Sequence, residues 1–315
     1  MNRFLTRSVL FAPADRLKVL EKAIKLAPDV LVFDLEDSVS PLKKSEAREN
    51  LLEVLSASSS VLKSKIIIRI NCPITTPFGE EDIKFLMSEE LLLGKIDGVG
   101  VPKVDSLEAL THSINLFGSK PKPLWAMIET AKGIKNVHSI AESNHVTALV
   151  FGQNDLCKDL KLPAFNREAL LYSMSQCIVA ARAEDKSVID GVFMDITDSK
   201  GLEADCIHGL NLGFDGKSLI HPNQIDIVNA IYTPSEESLT AAKRVIEAFE
   251  QAQREGKSVA MLDGRLIEAL HGVYYTLLLY IIIHYYTLLY TTIHYYTLLY
   301  TTISQTSTRR RFKVR

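Results

Sequence analysis

The sequence contains short apolar runs that each end in a charged or strongly polar residue. Five such runs are Leu31–Asp37, Ile66–Asn71, Val99–Lys103, Trp125–Glu129 and Leu149–Asp155. A short continuous apolar run is typical of a strand buried on both faces, and a charge at its end cannot stay in the core without a partner. The repeated pattern therefore predicts parallel strands that deliver polar side chains to one rim, where a barrel of alternating strands and helices carries its active site.

Strand and helix patterns alternate along the chain. Strands are predicted at 8–11, 30–35, 66–70, 99–101, 124–128, 148–151, 187–189 and 216–220. Helices are predicted between them at 15–26, 43–55, 80–93, 106–115, 134–142, 166–184 and 200–212. Strands that alternate with helices in this number favour a closed (β/α)8 TIM barrel over an open doubly wound sheet. We expect the barrel to span residues 1–232 and a C-terminal helix with a lid-like segment to span residues 233–271.

Composition and motifs argue against several classes of protein. A net charge of −2 and a pI of about 6.5 indicate neither a nucleic-acid partner nor an anionic membrane surface. The four cysteines form no CxxC pair, so neither a zinc finger nor a redox motif is indicated. Glycine-rich phosphate-binding motifs are absent from the sequence. The segment before the first predicted strand is too short for a signal peptide, and we therefore expect a cytoplasmic protein.

The C-terminal residues 272–315 form a low-complexity tail. Residues 284–293 and 294–303 are identical copies of one sequence, and no charged residue occurs between Glu268 and Arg309. This length without charge would permit a membrane span, but the basic cluster that follows would place the barrel outside the cell, where no signal directs it. We therefore favour an expanded repeat without an evolved role over a membrane-tethered protein.

Two carboxylates stand at the ends of adjacent predicted strands, Glu129 after the fifth and Asp155 after the sixth. Two hard oxygen ligands suit Mg²⁺ or Mn²⁺, which retain water for exchange with substrate. Each acid could instead cap the helix that follows its strand. The occurrence of both, one strand apart, favours a metal site.

Arg69 interrupts an apolar run at the end of the third predicted strand. A buried guanidinium is costly unless it is paired, and a substrate carboxylate is a natural bidentate partner. The alternative is an ion pair inside the barrel with Glu36 or Asp37. Those two acids could equally act on waters of a metal ion, orient Arg69 or cap the next helix, and the residues alone leave these roles open.

Basic side chains near other strand ends are candidate anion-binding residues. Lys103 could neutralise an anion or pair with Asp105. Lys217 and His221 belong to the end of the eighth predicted strand, where this fold often binds phosphate. They are therefore candidates for contact with a phosphorylated or nucleotide-bearing substrate, and ordinary helix capping is the alternative.

Several segments in fixed order resemble the citrate lyase beta-subunit-like family, which is close to the malyl-CoA and citramalyl-CoA lyases. These segments are Arg7–Pro13, Phe33–Val39, Arg69–Asn71, Val101–Lys103, Ile128–Gly133, Phe151–Leu156 and Gly216–Gln224. The resemblance runs from about residue 6 to residue 271. It implies a (β/α)8 barrel that binds Mg²⁺, that assembles as a trimer or hexamer, and that cleaves a carbon–carbon bond in a 3-hydroxy-3-carboxyacyl thioester.

The resemblance also implies roles for the residues at the predicted rim. By motif match, Glu129 and Asp155 would bind the metal ion, and Glu129 would thereby also contact substrate. Arg69 would hold the carboxylate of the 2-oxo acid. Backbone N–H groups at Asn154 and Asp155 would bind the same carboxylate.

Further roles follow from the same resemblance. Glu36 and Asp37 would hydrogen-bond waters on the metal. Relatives carry an Asp near the C-terminus that serves as acid or base from a neighbouring subunit, and Glu268 stands at that position here. The chain departs from the family directly after His271, where relatives continue into an amphipathic helix.

The sequence thus predicts a Mg²⁺-dependent lyase that uses a 2-oxo acid and an acyl-CoA or acyl-carrier thioester, of citryl, citramalyl or malyl type. One alternative is a class II aldolase that acts on free 4-hydroxy-2-oxo acids and needs no thioester. Another is a catalytically impaired remnant, because the replaced C-terminus endangers the placement of Glu268. The expected partners are these small molecules and further copies of the chain, without nucleic acid or a membrane, and the sequence leaves open whether other subunits take part.

Overall fold

The structure, a computed structural model, describes residues 5–58 and 62–268. Eight parallel strands pair in chain order, and β1 pairs with β8 to close a barrel. The strands are β1 (Ser8–Pro13), β2 (Val30–Asp34), β3 (Lys65–Arg69), β4 (Gly98–Val101), β5 (Leu124–Ile128), β6 (Val146–Phe151), β7 (Ser187–Asp190) and β8 (Gly216–Leu219). The predicted (β/α)8 barrel is confirmed.

Helices connect and cover the strands. They are α1 (Leu17–Ala23), α2 (Lys44–Ala57), α3 (Pro77–Ser88), α4 (Glu90–Lys95), α5 (Leu107–Leu116), α6 (Ala131–Lys135), α7 (Val137–Ala141), α8 (Gln153–Asp159), α9 (Leu171–Ala183), α10 (Ser199–Leu212) and α11 (Ile225–Tyr232). Several begin with a side-chain cap, as at Ser106 and Thr130, whose oxygens accept the N–H groups of Ala109 and Gly133.

The apolar side chains separate into two layers. Strand alternation sends one set into the barrel, including Val32, Ile67 and Met127. The other set faces the helices and includes Phe33 and Ile68. Both sets are almost fully buried, so the strands read as continuous apolar runs, which is why the sequence pattern predicted them.

The helices differ from the sequence-based prediction where local geometry interrupts them. The helix expected at 80–93 is divided into α3 and α4, because Glu89 has non-helical φ and ψ of −107° and 86°. The helix expected at 134–142 is divided at Asn136 in the same way. The short α8 and α11 were not predicted. The first begins with the polar residues Gln153-Asn154-Asp155 and has no apolar periodicity to reveal it.

The chain divides into two compact units, the barrel through Thr233 and a second unit from Pro234. The described part of the second unit contains α12 (Glu236–Arg254), β9 (Val259–Leu262) and β10 (Arg265–Glu268). The two strands pair as an antiparallel hairpin and pack on α12 through Val245, Phe249 and Ile267. The repeat tail, and the predicted end of the lid-like segment at His271, lie outside the described residues.

Candidate active site

The inward-facing rows of β2, β3 and β5 end in charged side chains. Asp34, Arg69 and Glu129 each stand two positions after an apolar residue of the barrel interior. Alternation therefore turns these side chains inward at the C-terminal rim of the barrel. Asp34 and Arg69 are register partners across β2 and β3. The rim is thus the place where the predicted polar groups meet.

Arg69 is held by two carboxylates. Its Nε and Nη2 donate to the two oxygens of Asp34, both at 2.6 Å, and Nη1 lies 3.0 Å from Glu36 Oε2. Burial alone would raise the pKa of Asp34, but the charge and hydrogen bonds of Arg69 hold it below its usual range. Burial would lower the pKa of Arg69, and Asp34 and Glu36 raise it instead. Arg69 is therefore a fixed, permanently charged cation.

Lys103 joins the two acids that follow β2. Its Nζ contacts the carboxylate of Glu36 and lies 3.2 Å from Asp37 Oδ2. The Glu36 side chain is buried, whereas that of Asp37 is 59% exposed. Burial raises the pKa of Glu36 despite the opposing charges of Arg69 and Lys103. The sequence left the role of Glu36 open, and the structure gives it an orienting contact with Arg69.

Glu129 is a buried acid of the rim with a strongly raised pKa. Burial and the nearby charge of Glu36 raise the pKa of Glu129 to about 8, against the opposing charge of Arg69. Its Oε1 accepts the backbone N–H of Lys103 at 2.7 Å. Lys103 has a φ of 53°, in the left-handed region that non-glycine residues rarely adopt, so the chain is bent here to direct that N–H at Glu129.

Gly152 allows the end of β6 to approach Glu129. A Cβ at Gly152 would lie 2.5 Å from Glu129 Oε2 and 2.4 Å from its Cβ, too close for any other residue. Gly152 is also the N-cap residue of α8, and Asp155 lies in the first turn of that helix. The missing side chain therefore brings the Glu129 carboxylate against the helix start that carries Asp155.

A cleft of about 440 Å³ opens at this rim. Its charged lining consists of Asp34, Asp37, Arg69, Glu129 and Asp155, and Asn154 adds a neutral polar group. Asn154 Nδ2 lies 3.4 Å from Met194 Sδ. Within the described residues, the Asp155 carboxylate has no hydrogen-bond or ion-pair partner. The structure thus brings together the predicted residues that follow β2, β3, β5 and β6.

Glu129 and Asp155 fit a divalent cation. Within the part of the chain that the structure describes, no group of three or more His, Cys, Asp or Glu side chains is arranged to hold a metal ion. The two acids would therefore supply two ligands and leave the other positions to water and substrate oxygens, as Mg²⁺ sites commonly do. A nearby dication would also relieve the charge penalty that raises the pKa of Glu129.

Lys217 does not fit its predicted contact with substrate. Its side chain is 0% exposed, and its Nζ lies 3.0 Å from Asp190 Oδ2 and 2.5 Å from Asp205 Oδ2. Strand alternation explains the difference, because Ser218 lines the cleft and its neighbour Lys217 must face the helices. The prediction treated the strand end as a whole and ignored this alternation.

His221 is placed in the role that the sequence offered as its alternative. Its ring accepts the backbone N–H of Asn223 and caps a short turn of 3-10 helix.

Lys103 pairs with Glu36 and Asp37, and Asp105 pairs with Lys132 instead. Of the two alternatives that the sequence left open for Lys103, the structure does not show the pair with Asp105.

Glu268 lies on β10 of the second unit, and its side chain is exposed. Its role as acid or base stays a prediction.

Within the described residues, no helix is both long and apolar enough to cross a membrane. The uncharged stretch that raised this question lies beyond Glu268, outside those residues.

The sequence analysis missed two residues that build the rim. Asp34 is the bidentate partner of Arg69, and Lys44 Nζ donates to the carbonyls of Leu35 and Glu36 at 2.6 and 2.8 Å. Asp34 ends an apolar run, so the same rule that singled out Arg69 could have found it. Lys44 lies in a predicted helix, away from the strand ends, so the strand-end pattern could not have singled it out.

Comparisons with known proteins identify the family of this chain. Residues 7–222 match the family described as HpcH/HpaI aldolase/citrate lyase. This chain belongs to that family. Its enzyme class is that of the carbon–carbon lyases, as predicted.

Individual relatives give the degree of similarity. A (3S)-malyl-CoA thioesterase of Cereibacter sphaeroides is 39% identical, with 84% of this chain and 90% of that protein covered. A citrate lyase subunit beta of Leuconostoc mesenteroides subsp. cremoris is 32% identical, with 85% and 90% covered. The structure of the CitE protein of Mycobacterium tuberculosis with magnesium, acetoacetate and coenzyme A matches with a TM-score of 0.72, 27% identity, and 88% and 98% coverage.

Proposed function

We propose that this protein is a Mg²⁺-dependent lyase that cleaves or forms a 3-hydroxy-3-carboxyacyl thioester, with a 2-oxo acid and an acyl thioester as the other reactants. The observation that carries the proposal is the meeting of Arg69, Glu129 and Asp155 in one cleft at the C-terminal rim of a barrel of this family. The M. tuberculosis relative, whose structure holds magnesium and coenzyme A, supports the same chemistry.

Glu129 and Asp155 would hold the Mg²⁺ ion. When bound, the ion would polarise the oxygen that becomes the ketone of the 2-oxo acid. Lys103 would keep Glu129 in place, because its backbone N–H already occupies Oε1. Glu36 and Asp37 would orient water at the site, with Lys103 balancing part of their charge.

Arg69 would bind the carboxylate of the 2-oxo acid. A guanidinium has five N–H donors. In Arg69 each of the three nitrogens makes one contact, two with Asp34 and one with Glu36. Hydrogens on the two terminal nitrogens therefore remain for substrate. Backbone N–H groups at Asn154 and Asp155, in the first turn of α8, would add donors to the same carboxylate. The fixed geometry of Arg69 lowers the entropy cost of orienting the bond that breaks.

Glu268 would transfer the hydroxyl proton at the site of a neighbouring subunit, by its position in the family motif. Its replacement by Gln should lower kcat with little change in KM, since a proton-transfer group contributes to the reaction step rather than to binding.

We also propose a cytoplasmic homo-oligomer, a trimer or hexamer, from the family resemblance. Light scattering on the purified chain would test the assembly.

Hydrolysis of a malyl thioester is a second candidate function. The observation in its favour is the 39% identity to a (3S)-malyl-CoA thioesterase over most of both chains. The products separate the two reactions, since a lyase releases a 2-oxo acid and an acyl thioester, whereas a thioesterase releases free hydroxy acid and free thiol. A class II aldolase would need no thioester at all.

The deciding experiment measures 2-oxo-acid release from malyl-CoA, citramalyl-CoA and citryl-CoA by the purified chain, with Mg²⁺ and with EDTA. Release that EDTA abolishes supports the lyase. Free thiol without 2-oxo acid would favour the thioesterase. A folded chain that binds Mg²⁺ and turns over none of the thioesters would contradict both and favour a catalytically impaired remnant.

A further inference from the structure

The cleft has two sides of different chemistry. Residues at or just after the C-terminal ends of β2, β3, β5 and β6 give it the charged side described above. Residues of β8 and of the segments after β7 and β8 give the other side, which we term the apolar wall: Val192, Met194, Ser218 and Ile220. The wall carries no charge. Its one side-chain oxygen, Ser218 Oγ, is buried and has no hydrogen-bond partner within the described residues.

The apolar wall is held in place by two buried amide side chains. Gln153 Nε2 donates to the Val192 carbonyl at 2.6 Å, and Gln224 Nε2 donates to the Phe193 carbonyl at 3.0 Å. Gln224 Oε1 also accepts the N–H of Ile220 at 3.0 Å. Gln224 thereby ties the segment after β7 to the segment after β8, and both Gln side chains are almost fully buried. Buried side chains therefore anchor the backbone of the wall at Val192, Phe193 and Ile220.

The wall presents apolar area that a ligand could cover. Met194 is 59% exposed and Ile220 is 38% exposed, although both border a cleft lined by carboxylates. A methyl or methylene group placed against such a surface is removed from water, and one such group in an apolar pocket changes specificity about 10- to 200-fold.

The wall also lacks a partner for a second carboxylate. Among the described residues that line the cleft, Arg69 is the only cation. Lys217, the nearest basic residue on β8, is sealed between Asp190 and Asp205. A carboxylate placed against Met194 and Ile220 would lose part of its hydration without gaining a counter-charge, which is unfavourable.

We propose that the apolar wall selects the third substituent on the carbinol carbon of the thioester, and that it accepts hydrogen or a small alkyl group and rejects a carboxymethyl group. This inference rests on the proposed function and narrows it. Malyl and citramalyl thioesters, which carry hydrogen and methyl, are the favoured substrates. The citryl thioester, which carries carboxymethyl, is disfavoured. Met194 and Ile220 are the specificity-determining residues.

The test compares kcat/KM for citramalyl-CoA and citryl-CoA in the wild-type protein, in Met194→Arg and in the matched control Met194→Leu. We expect the wild-type protein to prefer citramalyl-CoA by at least about tenfold. The Arg variant should reduce that preference about tenfold or more, by a gain on citryl-CoA, because it supplies the missing cation. The Leu variant should keep the wild-type preference. Ile220→Lys provides an independent second position.

A binding measurement separates this inference from the proposed function. Pyruvate and oxaloacetate carry the same methyl and carboxymethyl groups, so their dissociation constants with Mg²⁺ present report the wall without turnover. Tighter binding of pyruvate, reversed in Met194→Arg, supports the inference even if no thioester is cleaved. Equal binding of the two acids would overturn it. So would an equal loss on all thioesters in Met194→Arg, since the wall would then contact the carrier arm instead.

Discussion

Two groups of buried charges lie on opposite faces of the same barrel wall. The rim cluster comprises Asp34, Glu36, Arg69, Lys103 and Glu129, and it opens into the cleft. The outer cluster comprises Arg167, Asp190, Asp205 and Lys217, and it lies between the strands and the helices. Arg167 Nη2 lies 2.6 Å from Asp190 Oδ2, and Lys217 contacts both acids.

The two clusters differ in charge balance. The outer cluster pairs two cations with two acids, and each charge has an opposite neighbour. The rim cluster and the adjacent buried Lys44 together have three cations and three acids, and the cleft adds two more acids, Asp37 and Asp155. Buried charge is tolerated only when it is compensated. The excess of acids at the rim therefore supports the cation site proposed there, whereas the outer cluster is balanced and serves to hold the fold.

The largest expected effect comes from removing one acid of the rim. Glu129→Gln should lower the Mg²⁺-dependent rate about 10³-fold, or about 4 kcal/mol, because a metal ligand is lost. The fold should persist, because the change removes a buried charge. Steady-state kinetics and circular dichroism would measure the two effects. Glu142→Gln, at an exposed position on the same protein, is the control. A rate within tenfold of the wild-type value would exclude Glu129 as a metal ligand.

Removing a cation from the outer cluster should affect stability instead. Lys217→Met leaves Asp190 and Asp205 short of a partner in the interior, which should cost about 3 kcal/mol in the free energy of unfolding. Urea unfolding measures this cost. Activity per folded molecule should stay unchanged, since Lys217 faces away from the cleft. An unchanged free energy of unfolding together with a raised KM would instead indicate that Lys217 contacts the substrate.

Asp34 tests the connection between positioning and binding at the rim. Asp34→Asn keeps the side-chain shape but removes the negative charge that fixes Arg69. We expect kcat/KM to fall about 30-fold, or about 2 kcal/mol, because the guanidinium is less well oriented. Kinetics with a thioester and binding of a free 2-oxo acid would measure the loss. A lower KM in the variant would mean that Asp34 competes with substrate for Arg69.

The barrel was predictable because its strands are buried on both faces, and this leaves an apolar run and a terminal charge in the sequence. The same rule brought Arg69, Glu129 and Asp155 to one rim. It could not supply the partner of Arg69, because the register that sets Asp34 opposite Arg69 is a property of the assembled sheet. Nor did it distinguish Lys217 from Ser218, which differ only in the face to which strand alternation assigns them.

The smallest expected effect concerns the pH dependence of the free energy of unfolding. We expect it to separate the rim cluster from the outer cluster. Burial raises the pKa of Glu129 to about 8 in the folded protein, from an ordinary value of 4.5. Below pH 4.5 Glu129 is protonated in both the folded and the unfolded state, so its burial does not lower the free energy of unfolding. As the pH rises toward 8, the unfolded state loses its proton first, and the free energy of unfolding falls.

We expect this decrease to be at least about 1 kcal/mol larger in the wild-type protein than in Glu129→Gln between pH 5 and pH 8, measured by urea unfolding without metal. Gln cannot titrate, so the difference between the two proteins removes the contributions of all other titratable groups, including those of the outer cluster. Saturating Mg²⁺ should reduce the difference, because a bound cation stabilises the deprotonated carboxylate that burial disfavours. Parallel pH profiles for the two proteins would mean that Glu129 is already ionised without a cation. The charge imbalance of the rim would then be met by the cations already present there.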